Sequence, residues 1–202
     1  MASPEDAELV LTLATMHAEC ASFLRASGQS EQAHAQSEKA RGWLHHLLRM
    51  NPSNHDARVL LADTLFDDRS FQAAAVAYKE YLDARPDNQT AVIRRGIALL
   101  GTANVDEALT EFHRAAALDP RNAQAQWYLT IILLSRRDVV AAGEHATRFV
   151  ALAPDDPAAH DLLGRVWASQ GKWTAAKAQF EKALQIDPGY EDAREHLKAL
   201  GR

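Results

Sequence analysis

A single cysteine, Cys20, stands in a chain of 202 residues, so no intramolecular disulfide and no thiolate metal cage can form. That leaves the compartment open, because a reducing cytosol and a periplasm both suit a chain without bridges. Long apolar runs are missing as well. The stretch QWYLTIILL at 126–134 is far shorter than the roughly 18–20 apolar residues a bilayer span needs. LVLTLATM at 9–16 follows the acidic SPEDAE, the wrong flank for a secretion signal, so no direct membrane insertion is expected. A basic excess is also lacking: 22 Lys and Arg face 27 Asp and Glu, a formal charge of −5. Nucleic-acid grooves normally need a basic stripe, so nucleic acid is not an expected partner. Val, Ile and Thr are scarce where Ala is plentiful, the composition of a helical protein.

Proline is sparse too, but its placement is regular. Pro52, Pro86, Pro120, Pro154 and Pro188 fall 34 residues apart, and so do Ala40, Ala74, Ala108, Ala142 and Ala176. Asn54, Asn88, Asn122 and Asp156 keep the same step. Asn or Asp two residues after Pro reads as a helix N-cap, worth about 1 kcal/mol, while the Pro ends the preceding helix. The repeated Ala lets two helices approach closely. Between caps, apolar residues recur at helical steps, as in Leu109, Phe112, Ala116 and Ala176, Phe180, Ala183. Each unit is a helix–turn–helix. Helix A is predicted at 55–67, 89–101, 123–135 and 157–169, and helix B at 71–84, 105–118, 139–152 and 173–186.

These ladders resemble the tetratricopeptide repeat pattern of 34 residues, W-x2-L-G-x2-Y, then A-x3-F, then P. Residues 157–190 match with Leu163, Gly164, Trp167, Ala176, Phe180 and Pro188, and residues 89–122 with Gly96, Leu99, Ala108, Phe112 and Pro120. Residues 55–88 supply Leu61, Ala62, Leu65, Ala74, Tyr78 and Pro86. Residues 123–156 depart: Thr130 takes the small position and Ala146 the aromatic one. The first unit departs further, with 24 residues from Gly28 to Pro52 against 17 from Gly171 to Pro188. The surplus of seven is about two helical turns and keeps one face inward, so Ala33 and Ala40 can both serve as the small contact. With a long first helix starting at Ser3-Pro4-Glu5-Asp6 and running to about Ala26, residues 1–54 read as an oversized N-terminal hairpin. Residues 190–200 read as a closing amphipathic helix with Ala193, Leu197 and Leu200 inward.

The resemblance implies an all-α fold, a right-handed α-solenoid of antiparallel helix pairs in a single domain over 1–202. Its parts are the hairpin 1–54, regular repeats 55–88, 89–122, 123–156 and 157–190, and a cap at 191–202. It also implies that one face of each helix A lines a concave groove. Carried over by position, that face is Val59, Asp63 and Phe66, then Ile93, Ile97 and Leu100, then Trp127, Ile131 and Leu134, then Asp161, Arg165 and Ala168. An apolar stripe of this size has a use on a soluble chain. The expected occupant is an apolar segment of a protein partner, an extended peptide or an amphipathic helix, anchored by Trp127 and Phe66 and rimmed by Asp63, Arg94 and Arg165. The alternative is a structural subunit that closes a homodimer through the same surface.

One specialised reading is excluded. Repeat proteins that hold the acidic C-terminus of chaperones use Lys, Arg and Asn on three successive A helices. Here those places carry Val59 and Asp63, then Arg94, then Gln124 and Tyr128. Hidden chemistry is not expected either. His17 and Cys20 share a helix face without a third ligand, and His45 and His46 diverge. Glu107, Glu111, Glu181 and Lys182 read as solvated faces. There is no Gly-rich phosphate loop, no G-x-S-x-G and no H-E-x-x-H, and the repeats leave no room for a further domain. No cofactor, metal or catalytic activity is expected.

Overall fold

The computed structural model describes residues 4–201, with helices and turns throughout and no strand among them. The first two helices are long, α1 (Pro4–Ala26) and α2 (Ser30–Met50). Four shorter pairs follow: α3 (His55–Asp67) with α4 (Phe71–Ala84), α5 (Gln89–Gly101) with α6 (Val105–Leu118), α7 (Ala123–Ser135) with α8 (Val139–Leu152), and α9 (Pro157–Ser169) with α10 (Trp173–Ile186). α11 (Glu191–Leu200) comes last. The eight expected repeat helices have the predicted bounds, and α1 starts at Pro4 as expected; its expected cap, Ser3, lies outside the described residues. Among the described residues no helix is long and apolar enough to cross a membrane.

The boundaries follow from repeated local chemistry. The side-chain oxygens of Asn54, Asn88, Asn122 and Asp156 accept the backbone N–H of Ala57, Ala91, Ala125 and Ala158 at 2.8–3.0 Å, which satisfies donors a helix start leaves open. Just upstream, the carbonyls of Pro120, Pro154 and Pro188 accept from Gln126, His160 and Arg194, six residues on, at 3.4, 2.9 and 2.6 Å. Arg58 donates to Pro52 in the same way.

Each turn from helix A to helix B closes on a residue in left-handed conformation. Gly28 and Gly171 have φ of +76° and +72°, and Arg69, Ala103 and Arg137 hold 58°, 59° and 63° at the equivalent places. Two backbone bonds seal each turn, as in Ala103 N–H to the Leu100 carbonyl (3.0 Å) and Asn104 N–H to the Leu99 carbonyl (2.9 Å). This is the Schellman closure of a helix end. Three of the five turns pay a side-chain penalty that glycine avoids.

The chain divides into two compact units, Met1–Glu111 and Phe112–Arg202, the division falling inside α6. In the first, Ala14 of α1, Leu44 and Leu47 of α2, and Ala57 and Leu61 of α3 form a core, with Val10, Leu11 and Leu65 packed on it. Ala33 and Ala40 are both buried, as the extra two turns of α2 require. The hairpin is tied to α3 by charge. Asp68, with only 4% of its side chain exposed, accepts from Arg25 of α1 (2.6 Å) and Arg41 of α2. Burial works to raise the Asp68 pKa, but the hydrogen bonds from Arg41 and Ser37 and the two guanidinium charges prevail and hold it low. Glu111, expected on a solvated face, is instead buried at 5% exposure, because Arg95 of α5 pairs with it.

In the second unit Phe149, Ala159 and Leu162 form one cluster, and Ala176, Phe180, Ala183 and Ala193 another. Leu129, Ile132 and Leu133 are buried, as expected. The departure in the fourth repeat has a packing reason. Thr130 and Ala146 are both fully buried, a larger residue on helix A matched by a smaller one on helix B. Where Gly164 stands on α9, the large Phe180 fills the space from α10. Thr130 satisfies its hydroxyl by donating to the Gln126 carbonyl (2.8 Å).

Two stability outcomes follow from these contacts. Ala103→Gly and Arg137→Gly remove left-handed strain of about 1–2 kcal/mol and add glycine's entropy cost of about 0.5–1, so each should raise the urea-unfolding free energy by about 0.5–1 kcal/mol. Asp68→Ala removes the buried acceptor shared by Arg25 and Arg41, leaving Arg41 its pair with Glu38 and Arg25 its bond to Ser37, and should cost about 2 kcal/mol at neutral pH. The sign with pH follows from the lowered pKa. Asp68 adds stability above its unfolded value of about 3.9, and this is lost as pH falls through the folded value. Acid titration monitored by circular dichroism should therefore show a shallower acid limb in the variant.

Candidate functional site

In the first unit the expected groove residues come from α3 and α5. Val59, Asp63, Phe66, Arg94, Ile97 and Leu100 are half-buried. Ile93 is not available: it is 5% exposed, because α5 packs on both α3 and α4 and its early turns, Ala91 to Ile93, are covered on every side. Asp63 and Arg94 are not independent rim charges. Arg94 donates to Asp63 at 2.7 Å, and the buried Tyr78 hydroxyl donates to the same carboxylate. Burial and the Asp63 charge push the Tyr78 pKa up. Burial works against the Arg94 charge, but Tyr78 and Asp63 more than restore it. Arg94 also lies 5.6 Å from the centre of the Phe66 ring, which meets Phe71 and Tyr78 edge-on at 5.8 and 6.2 Å. Phe66 is thus held by its own helix pair.

In the second unit Trp127, Ile131 and Leu134 pack against Phe149, Ala159 and Leu162, so this part of the expected stripe is partly covered by its own neighbours. Trp127 meets Tyr128 edge-on at 4.6 Å, and Tyr128 stacks flat on Phe112 at 4.4 Å. Ile131 and Leu134 reach past that cluster and form one wall of a cleft of about 580 Å³. Arg165 and Ala168 of α9 form a second wall. Phe180 and Trp173 of α10 and Leu200 of α11 complete it.

Local structure explains each wall. α9 ends at Ser169, the left-handed Gly171 reverses the chain, and α10 begins at Trp173, which stands 60% exposed at the mouth. α11 buries Ala193 and packs Leu197 and Leu200 on the α10 cluster, as its amphipathic pattern requires. Asp161, expected in the groove, is 3% exposed and takes no part in an open surface. α11 covers it: His196 Nδ1 donates to its carboxylate at 2.8 Å. Burial raises the Asp161 pKa, and the His196 hydrogen bond and the His196 and Arg165 charges offset only part of that rise. The His196 ring also stacks on Phe180 at 5.4 Å, so one histidine fixes α11 against both helices of the last pair.

The cleft is an apolar seat with one cation. The Arg165 guanidinium makes no hydrogen bond or ion pair among the described residues. The hydroxyls at the rim are already engaged, Ser135 donating to the Ile132 carbonyl (2.7 Å) and Ser169 to the Arg165 carbonyl (2.9 Å). The Asp161–His196 pair ties α11 to α9. His17 is engaged by Gln36 at 2.7 Å and Cys20 is exposed, and no third His, Cys, Asp or Glu joins them among the described residues. Of the expected row, Ile131, Leu134, Arg165 and Ala168 line this cleft, and Trp173, Phe180, His196 and Leu200, which line it too, were not expected there. The available signal was a large aromatic at the exposed start of a helix B, opposite a final helix with an apolar face.

Comparison with known proteins agrees with this fold. Tetratricopeptide repeat family models match residues 24–89, 93–157 and 157–190. The DnaJ homolog subfamily C member 7 homolog of Schizosaccharomyces pombe is 25% identical over 182 residues, covering 81% of this chain and 38% of that protein. The mouse DnaJ homolog subfamily C member 3 is 31% identical over 100 residues, 50% of this chain and 20% of that protein. The chain thus spans well under half the length of these relatives. Among solved structures, YrrB, described as a repeat protein with an unusual peptide-binding site, superposes with a TM-score of 0.74 at 18% identity, covering 90% of each chain. A MamA fragment from Desulfovibrio magneticus RS-1 gives 0.69 at 22% identity, covering 73% of this chain and 84% of that one.

Gly164 sets how closely the Phe180 ring of the cleft approaches α9. A Cβ there would lie 2.5 Å from the Phe180 ring. Gly164→Ala should therefore cost about 1–3 kcal/mol through overpacking, more than the helix propensity gained, and should displace Phe180. Thermal melting and the tryptophan emission, to which Trp167 on the Phe180 cluster contributes, read the two effects.

Proposed function

The chain belongs to the tetratricopeptide repeat family, a family of protein-interaction scaffolds, and we propose that it is a non-catalytic adaptor seating an apolar side chain of a partner segment in the α7–α9–α10–α11 cleft. The observation that carries this reading is the combination of apolar walls with one cation that makes no hydrogen bond or ion pair among the described residues. Ile131, Leu134, Ala168, Phe180 and Leu200 offer a dry seat, Trp173 a large flat surface at its mouth, and Arg165 a partner for a carboxylate or a backbone carbonyl. Large aromatics and Arg dominate the energetics of such contacts. The described peptide-binding site of YrrB, which shares this fold, is consistent with it. The half-buried Val59, Phe66, Ile97 and Leu100 extend the same kind of surface on the first unit.

Proteins retained from the source cell by the wild-type chain but not by Leu134→Glu should be cut into overlapping synthetic peptides and titrated by calorimetry. A segment with an apolar anchor should bind, and both Leu134→Glu and Arg165→Glu should weaken it by about tenfold or more. Helical content should stay near wild type. Light scattering that shows a dimer split by Leu134→Glu would instead assign the surface to self-association.

A further inference from the structure

We propose that the outer face of α1 is a second docking surface, a helix-receiving seam whose occupant is an amphipathic helix of a partner protein with basic flanks. α1 carries apolar residues on both sides. Its inner side, Ala7, Val10, Leu11, Ala14 and Ala21, packs on α2 and α3. Its outer side presents Leu9 and Met16 at 60% exposure and Phe23 at 71%, with half-buried Leu13 and exposed Cys20 between them. A helix apolar all round is normally an interior helix.

The spacing of that outer row decides the kind of partner. Leu9, Leu13, Met16, Cys20 and Phe23 follow one another at steps of four, three, four and three. This is the a/d seam of a heptad repeat, over two heptads. An extended strand would meet such a row only at isolated points, whereas a second helix meets every step of it with knobs in holes. The length suits this: 14 residues of helix span about 21 Å.

Charge decides between partners. α1 contains Glu5, Asp6, Glu8 and Glu19 but no Lys, its one Arg, Arg25, is held by Asp68, and His17, on the other flank of the seam, is bonded to Gln36. Glu19 flanks the seam directly and Glu8 lies one step further out, both exposed. A second copy of α1 would bring a second set of these carboxylates with no free Lys or Arg to meet them. A helix with Lys or Arg beside its apolar row complements them and is steered toward them.

The test uses the full chain and a synthetic probe of about three heptads with Leu at a and d and Lys at e and g, whose own charges oppose its self-pairing. A control peptide carries Glu at e and g. By fluorescence anisotropy the Lys peptide should bind about tenfold or more tighter than the control. Cys20, the chain's only cysteine, lies within the seam and supplies a local readout: bound probe should slow its alkylation by N-ethylmaleimide several-fold. Met16→Gln with Phe23→Gln should abolish most binding while leaving circular dichroism unchanged, and Leu9→Gln alone should weaken it in part. Leu134→Glu, in the cleft, should leave it intact. Equal binding of both peptides, an unprotected Cys20, or undiminished binding by the double variant would overturn the proposal. So would light scattering that shows a dimer separated by Met16→Gln with Phe23→Gln.

Discussion

Every helix pair depends on how its turn is closed. A left-handed residue at Gly28, Arg69, Ala103, Arg137 or Gly171 lets two backbone N–H groups reach back to the last turn of helix A. Helix B must then leave at one angle, whatever the side chains around it. The Asn or Asp cap that opens the next helix A does the same at the other end. With both ends set by backbone geometry, the side chains between are free to vary in size. Gly164 with Phe180 and Thr130 with Ala146 are two ways of filling the same space.

This division explains which parts of the molecule could be read beforehand. Helix bounds were legible because caps and prolines are chemical marks in fixed register. The left-handed turns were legible only at Gly28 and Gly171, since Arg and Ala do not announce positive φ, although their positions fall on the same 34-residue ladder. Helix faces were legible as directions. Their coverage was not, because it depends on which neighbour arrives. Ile93 points with the groove row but lies under two helices, and Asp161 lies under α11. Glu111 looked solvated until Arg95 met it.

Charge pairing changed the meaning of the expected rim. Asp63 and Arg94 neutralise each other through a shared carboxylate that Tyr78 also contacts, so neither is a free handle for a partner. Arg165 differs because the acid nearest to it in sequence, Asp161, is already engaged by His196. The closing helix thus does two things at once. It shields the end of the last pair from solvent, and by taking up Asp161 it leaves Arg165 as a cation at the edge of an apolar cleft.

The two surfaces of interest have different origins, which bears on how each could vary. The cleft is a product of the repeat: the amphipathic helix α11 folded over the last pair makes the hollow, and Arg165 and Trp173 set its chemistry. The α1 row is a departure from the repeat, made possible because α1 has 23 residues where the regular A helices have 13. A helix of normal length would offer too short a seam for knobs-in-holes packing over two heptads. The seven-residue surplus in α2 is the matching requirement, since a longer α1 needs a longer partner to cover its inner face. Ala33 is buried in that added stretch and Gln36 beside it bonds His17 of α1 at 2.7 Å, while the outer row of α1 stays exposed.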